Sequence, residues 1–253
     1  MSTPLKLLFL HGYTQSGPLF HAKTKALEKL LLKSLPAGTT LSFPTAPHLL
    51  KLSDLPGHTP AASAGNEGGA EEEEQSADNW AWWRRNDATG EYTGLNETWA
   101  FLGKLLDSEG PFDGCIGFSQ GGALTSLLTS LLEPAHAPSR PASFTTTHPP
   151  FRFSIVYSGF RAPSPHYDYF YTPKIATPTL HFIGSLDTVV DESRSLALVH
   201  EHAGEPRVVY HPGGHYLPAG KQFANVVVGF VREHAKPVVG VEEEGVEDMD
   251  VPF

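Results

Sequence analysis

The sequence predicts an α/β domain in which a mostly parallel, doubly wound sheet carries helices on both faces. Three observations lead there. Short apolar runs recur along the chain, at LKLLFL (5–10), FDGCIGF (112–118), FSIVYS (153–158), TLHFIG (179–184) and RVVYH (207–211). These runs are apolar at consecutive positions, the pattern of strands buried on both faces. Segments of helical periodicity separate them, and strict alternation of strand and helix builds a parallel sheet. With 253 residues, 40% of them apolar, the chain is long enough for one such domain with a substantial core.

The first strand, LKLLFL, is stopped by His11-Gly12. A helix follows, with Ser16 as its cap, Pro18 in its first turn and an apolar stripe through Phe20, Leu27, Leu30 and Leu31. TTLSF is a second strand, closed by Pro44 and Pro47. Periodicity is then lost, and residues 60–77 are low in complexity, which predicts a solvated insertion within the domain. Leu95, Trp99, Leu102 and Leu106 step by four, three and four, the mark of an amphipathic helix. A helix after Ser119 places Leu124, Leu127, Leu128, Leu131 and Leu132 inward. Residues 134–150 are proline-rich and form a second predicted insertion. The aromatic loop HYDYFYTP follows the strand at 153–158, a helix is expected around 191–203, and a last helix over about 220–234 turns Phe223, Val226, Val227, Phe230 and Val231 to one face. One domain is therefore expected over 1–236, with an acidic, disordered tail over 237–253.

The formal charge of −10 is unevenly placed. Glu71–Glu74 and the six acids of the tail carry ten negative charges, and the remaining eighteen acidic residues balance eighteen basic ones. The body is near neutral and shows no basic stripe, so nucleic acid is not an expected partner. The lone cysteine, Cys115, excludes an internal disulfide and fits a reducing compartment. The first apolar run is too short to span a bilayer, so a soluble protein of the cytoplasm, with the nucleus also open to it, is expected.

One stretch points to chemistry. DGCIGFSQGGAL (113–124) sets Ser119 between Gly117 and Gly121, where an apolar strand gives way to an amphipathic helix. That is G-x-S-x-G in the setting of a nucleophile elbow, a tight turn that lifts the hydroxyl off the end of the sheet. Side chains at 117 and 121 would collide with the neighbouring strand and helix. A serine needs a base, and the base an orienting acid, in the chain order Ser, Asp or Glu, His. Asp187 follows the strand TLHFIG, and His215 lies in the Gly-rich loop after RVVYH. Catalytic groups of open α/β sheets gather at the carboxyl ends of strands, where all three candidates fall. Asp191 is better suited to capping a helix, and His211 is held at its strand end. Cys115 belongs to the core. The amides of Gln120 and, after the first strand, Tyr13 are the expected oxyanion donors; His11 is expected to hold that loop. There is no H-E-x-x-H and no Cys/His cluster, so neither a metal nor another cofactor is expected.

The chain resembles the small intracellular α/β-hydrolases called the family of serine hydrolases. The likeness rests on LFLHGYTQSG, the tryptophan cluster ending at Trp83, YTGL (92–95), GPFDGCIGFSQGGAL, YSGF, PTLHFIGSLDTVVDESRSL and HPGGHYLP, which span residues 5–218 in order. The family commonly has alanine where Gly122 stands. GFSQGG is also similar to the elbow of acyl-protein thioesterases and their carboxylesterase kin, the second choice. The resemblance implies the α/β-hydrolase fold, Ser119, Asp187 and His215 as nucleophile, acid and base, and hydrolysis of carboxylic esters or thioesters without a cofactor. An acyltransferase using the same triad is the alternative, and a non-catalytic binding protein on the same scaffold a further one. The expected partner is a small-molecule or carrier-bound acyl ester, and an oligomer is possible. Aromatic clusters in loops after strands, Trp80/Trp82/Trp83 and Tyr167/Tyr169/Phe170/Tyr171, suggest an apolar acyl pocket, with Trp83, Phe170 and Tyr171 as its candidate lining.

Overall fold

The structure is a computed structural model that describes residues 3–51, 54, 78–86 and 88–235. Six strands form one sheet in the order β10-β9-β8-β7-β1-β2, and every neighbouring pair is parallel. The strands are β1 (Lys6–Leu10), β2 (Thr40–Ser42), β7 (Gly114–Phe118), β8 (Phe153–Tyr157), β9 (Thr179–Gly184) and β10 (Arg207–His211). Four two-residue strands make two small antiparallel pairs: β3 (His48–Leu49) with β4 (Trp80–Ala81), and β5 (Arg84–Arg85) with β6 (Tyr92–Thr93).

Side chains alternate across a strand, so each buried strand feeds two cores. On one face Leu7, Phe9, Ile116, Phe118, Ile155 and Tyr157 meet α1 (Gly17–Ser34) and α5 (Lys221–His234). On the other, Leu8, Leu10, Cys115 and Val156 meet α2 (Leu95–Glu109) and α3 (Gln120–Leu132). The expected elements recur with their local causes. The hydroxyl of Ser16 caps α1 by accepting from the Leu19 amide, and Asp191 caps α4 (Glu192–Val199) through the Arg194 amide. That last helix is shorter than the 191–203 expected. After His200 the chain turns back to form a bridge between His202 and Ile175, held by the Ile175 amide on the Glu201 carbonyl.

The 134–150 stretch packs closely. Its Arg140 guanidinium donates to the Leu131 and Leu132 carbonyls at the end of α3, where a cation is favoured. Phe144 meets the Trp99 ring edge-on at 5.9 Å, and the Phe112 amide donates to His148 Nε2 at 2.6 Å. The insertion expected at 60–77 and the tail at 237–253 lie outside the described residues. Among the described residues no helix is long and apolar enough to cross a membrane.

His181 of β9 and His202 are buried with ring centroids 4.8 Å apart. Burial lowers His202 to about 4, and burial together with the neighbouring His202 holds His181 well below the ordinary histidine range. A group whose pKa falls on folding stabilises the fold fully above its unfolded value of about 6.5 and loses that contribution as pH drops toward the folded value. Urea midpoints should therefore decline steadily between about pH 6.5 and pH 4. A midpoint unchanged across that window would contradict the buried, neutral pair.

Candidate active site

The order of the strands locates the site. The chain starts at β1 in the sheet, steps outward to β2, then returns to the other side of β1 as β7. The crevice between β1 and β7 is thus the switch point at which open α/β sheets bind ligands, at the carboxyl ends of the strands. The loop 11–15 leaves β1 there, and Ser119 leaves β7.

Ser119 sits between β7 and α3 with φ 54° and ψ −116°, a strained backbone for a residue with a side chain. Neighbours on both sides hold it there. Its amide donates to the Tyr157 carbonyl at 2.8 Å, and its carbonyl accepts from the Ala123 amide at 2.9 Å. The two glycines permit the turn by close approach. A Cβ on Gly117 would overlap the Gly121 carbonyl and Thr125 Oγ1, and one on Gly121 would overlap the carbonyls of Leu10 and His11.

The hydroxyl of Ser119 lies 2.8 Å from His215 Nε2, and His215 Nδ1 lies 2.7 Å from Asp187 Oδ2. The other carboxylate oxygen of Asp187 accepts from the Val189 and Val190 amides, both at 2.9 Å. Burial works against ionisation of Asp187. The hydrogen bonds from His215 and from the two amides outweigh it and hold the carboxyl below its usual range. Asp187 is therefore an anion that can only accept, which puts the imidazole proton on Nδ1 and leaves Nε2 to take the serine proton. The His215 ring rests on Phe118, with centroids 4.9 Å apart.

The β1 loop runs beside the serine: a Cβ on Gly12 would lie 3.4 Å from Ser119 Cβ. His11 anchors this loop. Its Nε2 accepts from the Ala46 amide at 3.0 Å, so its Nδ1 carries the proton, 2.8 Å from the Gly12 carbonyl. Burial lowers His11 to about 4 and keeps it neutral. Trp82 Nε1 donates to the His11 carbonyl, and the Gly12 amide donates to Gln15 Oε1. The hydroxyl of Tyr13 donates to the Asp54 carbonyl at 2.9 Å. Gln120 opens α3, whose first-turn amides have no acceptor within the helix. Its side chain accepts from the Trp82 amide at 2.9 Å and donates to the Trp83 carbonyl at 2.8 Å, tying the tryptophan segment to the elbow.

The structure thus gathers Ser119, Asp187, His215, Gln120, Tyr13, Gly117 and Gly121 at one end of the sheet. It buries Trp83, Phe170 and Tyr171 inside the domain, at 2%, 0% and 3% exposure. Trp83 stacks on Tyr92 at 4.7 Å, which stacks on Tyr167 at the same spacing. Phe170 is wholly buried against Trp99, and the Tyr171 hydroxyl accepts from the Ala162 amide at 3.0 Å. These aromatic loops fold inward because α2 and α3 offer them a core to fill. The large apolar and aromatic side chains left exposed beside the triad, among the described residues, are Leu186 (70%), Val189 (60%) and Tyr216 (53%), which flank Asp187 and His215 and which the sequence alone did not single out. The turn that puts both Asp187 Oδ1 donors in place also holds Leu186 and Val189 outward. Among the described residues no group of side chains could hold a metal ion.

A family model described as serine hydrolase (FSH1) matches residues 1–227. The chain is 37% identical over 223 residues to a dihydrofolate reductase of Schizosaccharomyces pombe, with 86% of this chain and 45% of that protein covered. The match therefore spans less than half of that relative. It is 32% identical over 245 residues to the esterase OVCA2 of Danio rerio, with 91% of this chain and 98% of that one covered. Among solved structures, it is similar in fold to acyl-protein thioesterase 2 of Zea mays, with a TM-score of 0.59 and 18% identity over 93% of this chain and 96% of that one. The α/β-hydrolase fold accounts for the sheet and both helical layers.

Proposed function

Given that the chain belongs to the FSH1 serine hydrolase family, we propose that it cleaves carboxylic esters or thioesters through an acyl-enzyme on Ser119. One observation carries this: the unbroken hydrogen-bonded line Asp187–His215–Ser119, ending on a serine held in a strained turn at a helix N-terminus. The Ser119 oxygen attacks the acyl carbon while its proton passes to His215 Nε2. Asp187 fixes the imidazole and stabilises the imidazolium that forms. The amides of Gln120 and Tyr13 receive the oxyanion, a role supported by the start of α3 and by the approach of the β1 loop to Ser119. On collapse His215 returns the proton to the leaving alcohol or thiol, and water then releases the acid by the same steps. The esterase name of the zebrafish relative supports the same chemistry.

The leaving group must stand within reach of His215 to receive its proton. Exposed Leu186, Val189 and Tyr216 border that side, which supports an apolar substrate, small or carrier-bound. For the compartment we propose the cytoplasm, supported by the single, buried Cys115 thiol, whose pKa burial pushes up to about 12 and which is therefore an inert core group.

The test is a fluorophosphonate probe followed by mass spectrometry, with a panel of p-nitrophenyl acyl esters alongside. Labelling at Ser119 and nowhere else, with turnover rising from acetyl to longer acyl chains, is expected. A folded protein that takes no label would end the proposal.

A further inference from the structure

Two residues after His215 the chain enters the wall of a cavity of about 240 Å³ between α1 and the start of α5. Leu27, Leu30, Leu217 and Ala224 give it apolar sides. Tyr157 lines it as well, 3% exposed and stacked on Phe182 at 4.5 Å. The Tyr157 hydroxyl makes no hydrogen bond among the described residues, and burial is the one influence that raises its pKa. The hydroxyl oxygen is not among the sealed, unpaired atoms of the described residues, so although the side chain is 3% exposed the hydroxyl is free to donate to a ligand that enters the cavity. Lys23 and Lys221 also border the cavity; both are exposed, and neither meets a carboxylate among the described residues. Lys221 opens the fourteen-residue α5, whose cap, Gly220, offers no side chain to the first amides. Cations, free amides and a hydroxyl free to donate converge on one apolar cavity.

The site is graded along α1. Lys23 stands at one end, with Leu27 and Leu30 one and two turns on, a span of about 10 Å at 1.5 Å per residue. We propose that this cavity binds a medium-chain fatty carboxylate. The carboxylate accepts from Tyr157 and lies against Lys23, Lys221 and the N-terminus of α5, and the chain packs along Leu27, Leu30 and Leu217. Such a ligand belongs to the class of product that ester hydrolysis releases, but its site is separate from the reacting serine and does not rest on the reaction proposed above.

The test uses the full chain carrying Ser119→Ala, so that binding is read without turnover, and octanoate as the probe in calorimetry. One saturable site is expected. Adding Lys23→Gln and Lys221→Gln should weaken binding at least tenfold with an unchanged melting temperature, because both side chains are exposed. Tyr157→Phe should weaken it severalfold, and octanol should bind at least tenfold more weakly than octanoate. Absence of saturable binding overturns the proposal. So does binding that is indifferent to both lysines, since octanoate would then sit elsewhere, the triad included. Fluorophosphonate labelling of the unmodified protein is read independently, so failure of either proposal leaves the other intact.

Discussion

The Ser119→Ala protein is expected to fold like its parent and to turn over esters more slowly by a factor on the order of 10⁶ in kcat. The alanine methyl fits where the serine Cβ already sits, so the effect is chemical. His215→Ala should cost about as much, because without Nε2 the serine has no acceptor for its proton. The double variant should be hardly worse than either single one. A hydrogen-bonded line that works as a unit is lost once, whichever end is removed, and what remains is the roughly 10³-fold to 10⁴-fold advantage over water that oxyanion donors and binding supply. Asp187→Asn should fall short of the full loss, at roughly 10⁴-fold, since it leaves Nε2 in place but favours the wrong tautomer. Steady-state kinetics on one activated ester, at matched protein stability, decides the matter. Losses that multiply between Ser119→Ala and His215→Ala would show two independent groups and sink the triad.

The elbow was legible in the sequence because its causes are local. Gly117, Ser119 and Gly121 fall within five residues, and the apolar run before them and the leucine stripe after them identify the strand and the helix that the turn must join. Asp187 and His215 were legible for a different reason. A parallel sheet sends every strand's carboxyl end to the same edge, so a residue just past a strand is near the serine whatever its distance along the chain. Side-chain direction in the long loops obeys no such rule. Phe170 is buried by Trp99, some seventy residues earlier, and Trp83 stacks on Tyr92, which stacks in turn on Tyr167, contacts that no periodicity announces. The pairs β3–β4 and β5–β6 were invisible for their brevity, since two residues cannot show alternation. The double hydrogen bond of the Gln120 side chain to Trp82 and Trp83 was hidden as well: its neighbours in sequence mark position 120 as the start of a helix and say nothing of what lies across from it.

Adjacent glycines in the same helical turn should respond to alanine with losses of unequal size. Alanine is the better helix former by up to about 1 kcal/mol, a gain open to both positions. At Gly122 the added methyl would lie 2.9 Å from the Tyr157 carbonyl oxygen, on a strand paired on both sides, and 3.3 Å from that of Gly117, so backbone has to give way. That cost exceeds the helical gain, and Gly122→Ala should lose about 1–2 kcal/mol. At Gly121 the methyl would overlap two backbone oxygens, those of Leu10 and His11, at the end of β1. Neither can retreat: β1 is paired on both sides, and the His11 carbonyl is held by Trp82 Nε1. Separating α3 from β1 would also part Gln120 from the β1 loop and open the proposed oxyanion site. Gly121→Ala should therefore lose about 3 kcal/mol or more, a fall of roughly 6–12 °C in Tm for a domain of this size, and most of its activity even where it remains folded. Thermal melts and ester turnover of the two variants, side by side, make the comparison. Equal melting temperatures would mean that α3 does not press on β1 as closely as Gly121 requires, and the strained turn at Ser119 would then need another cause.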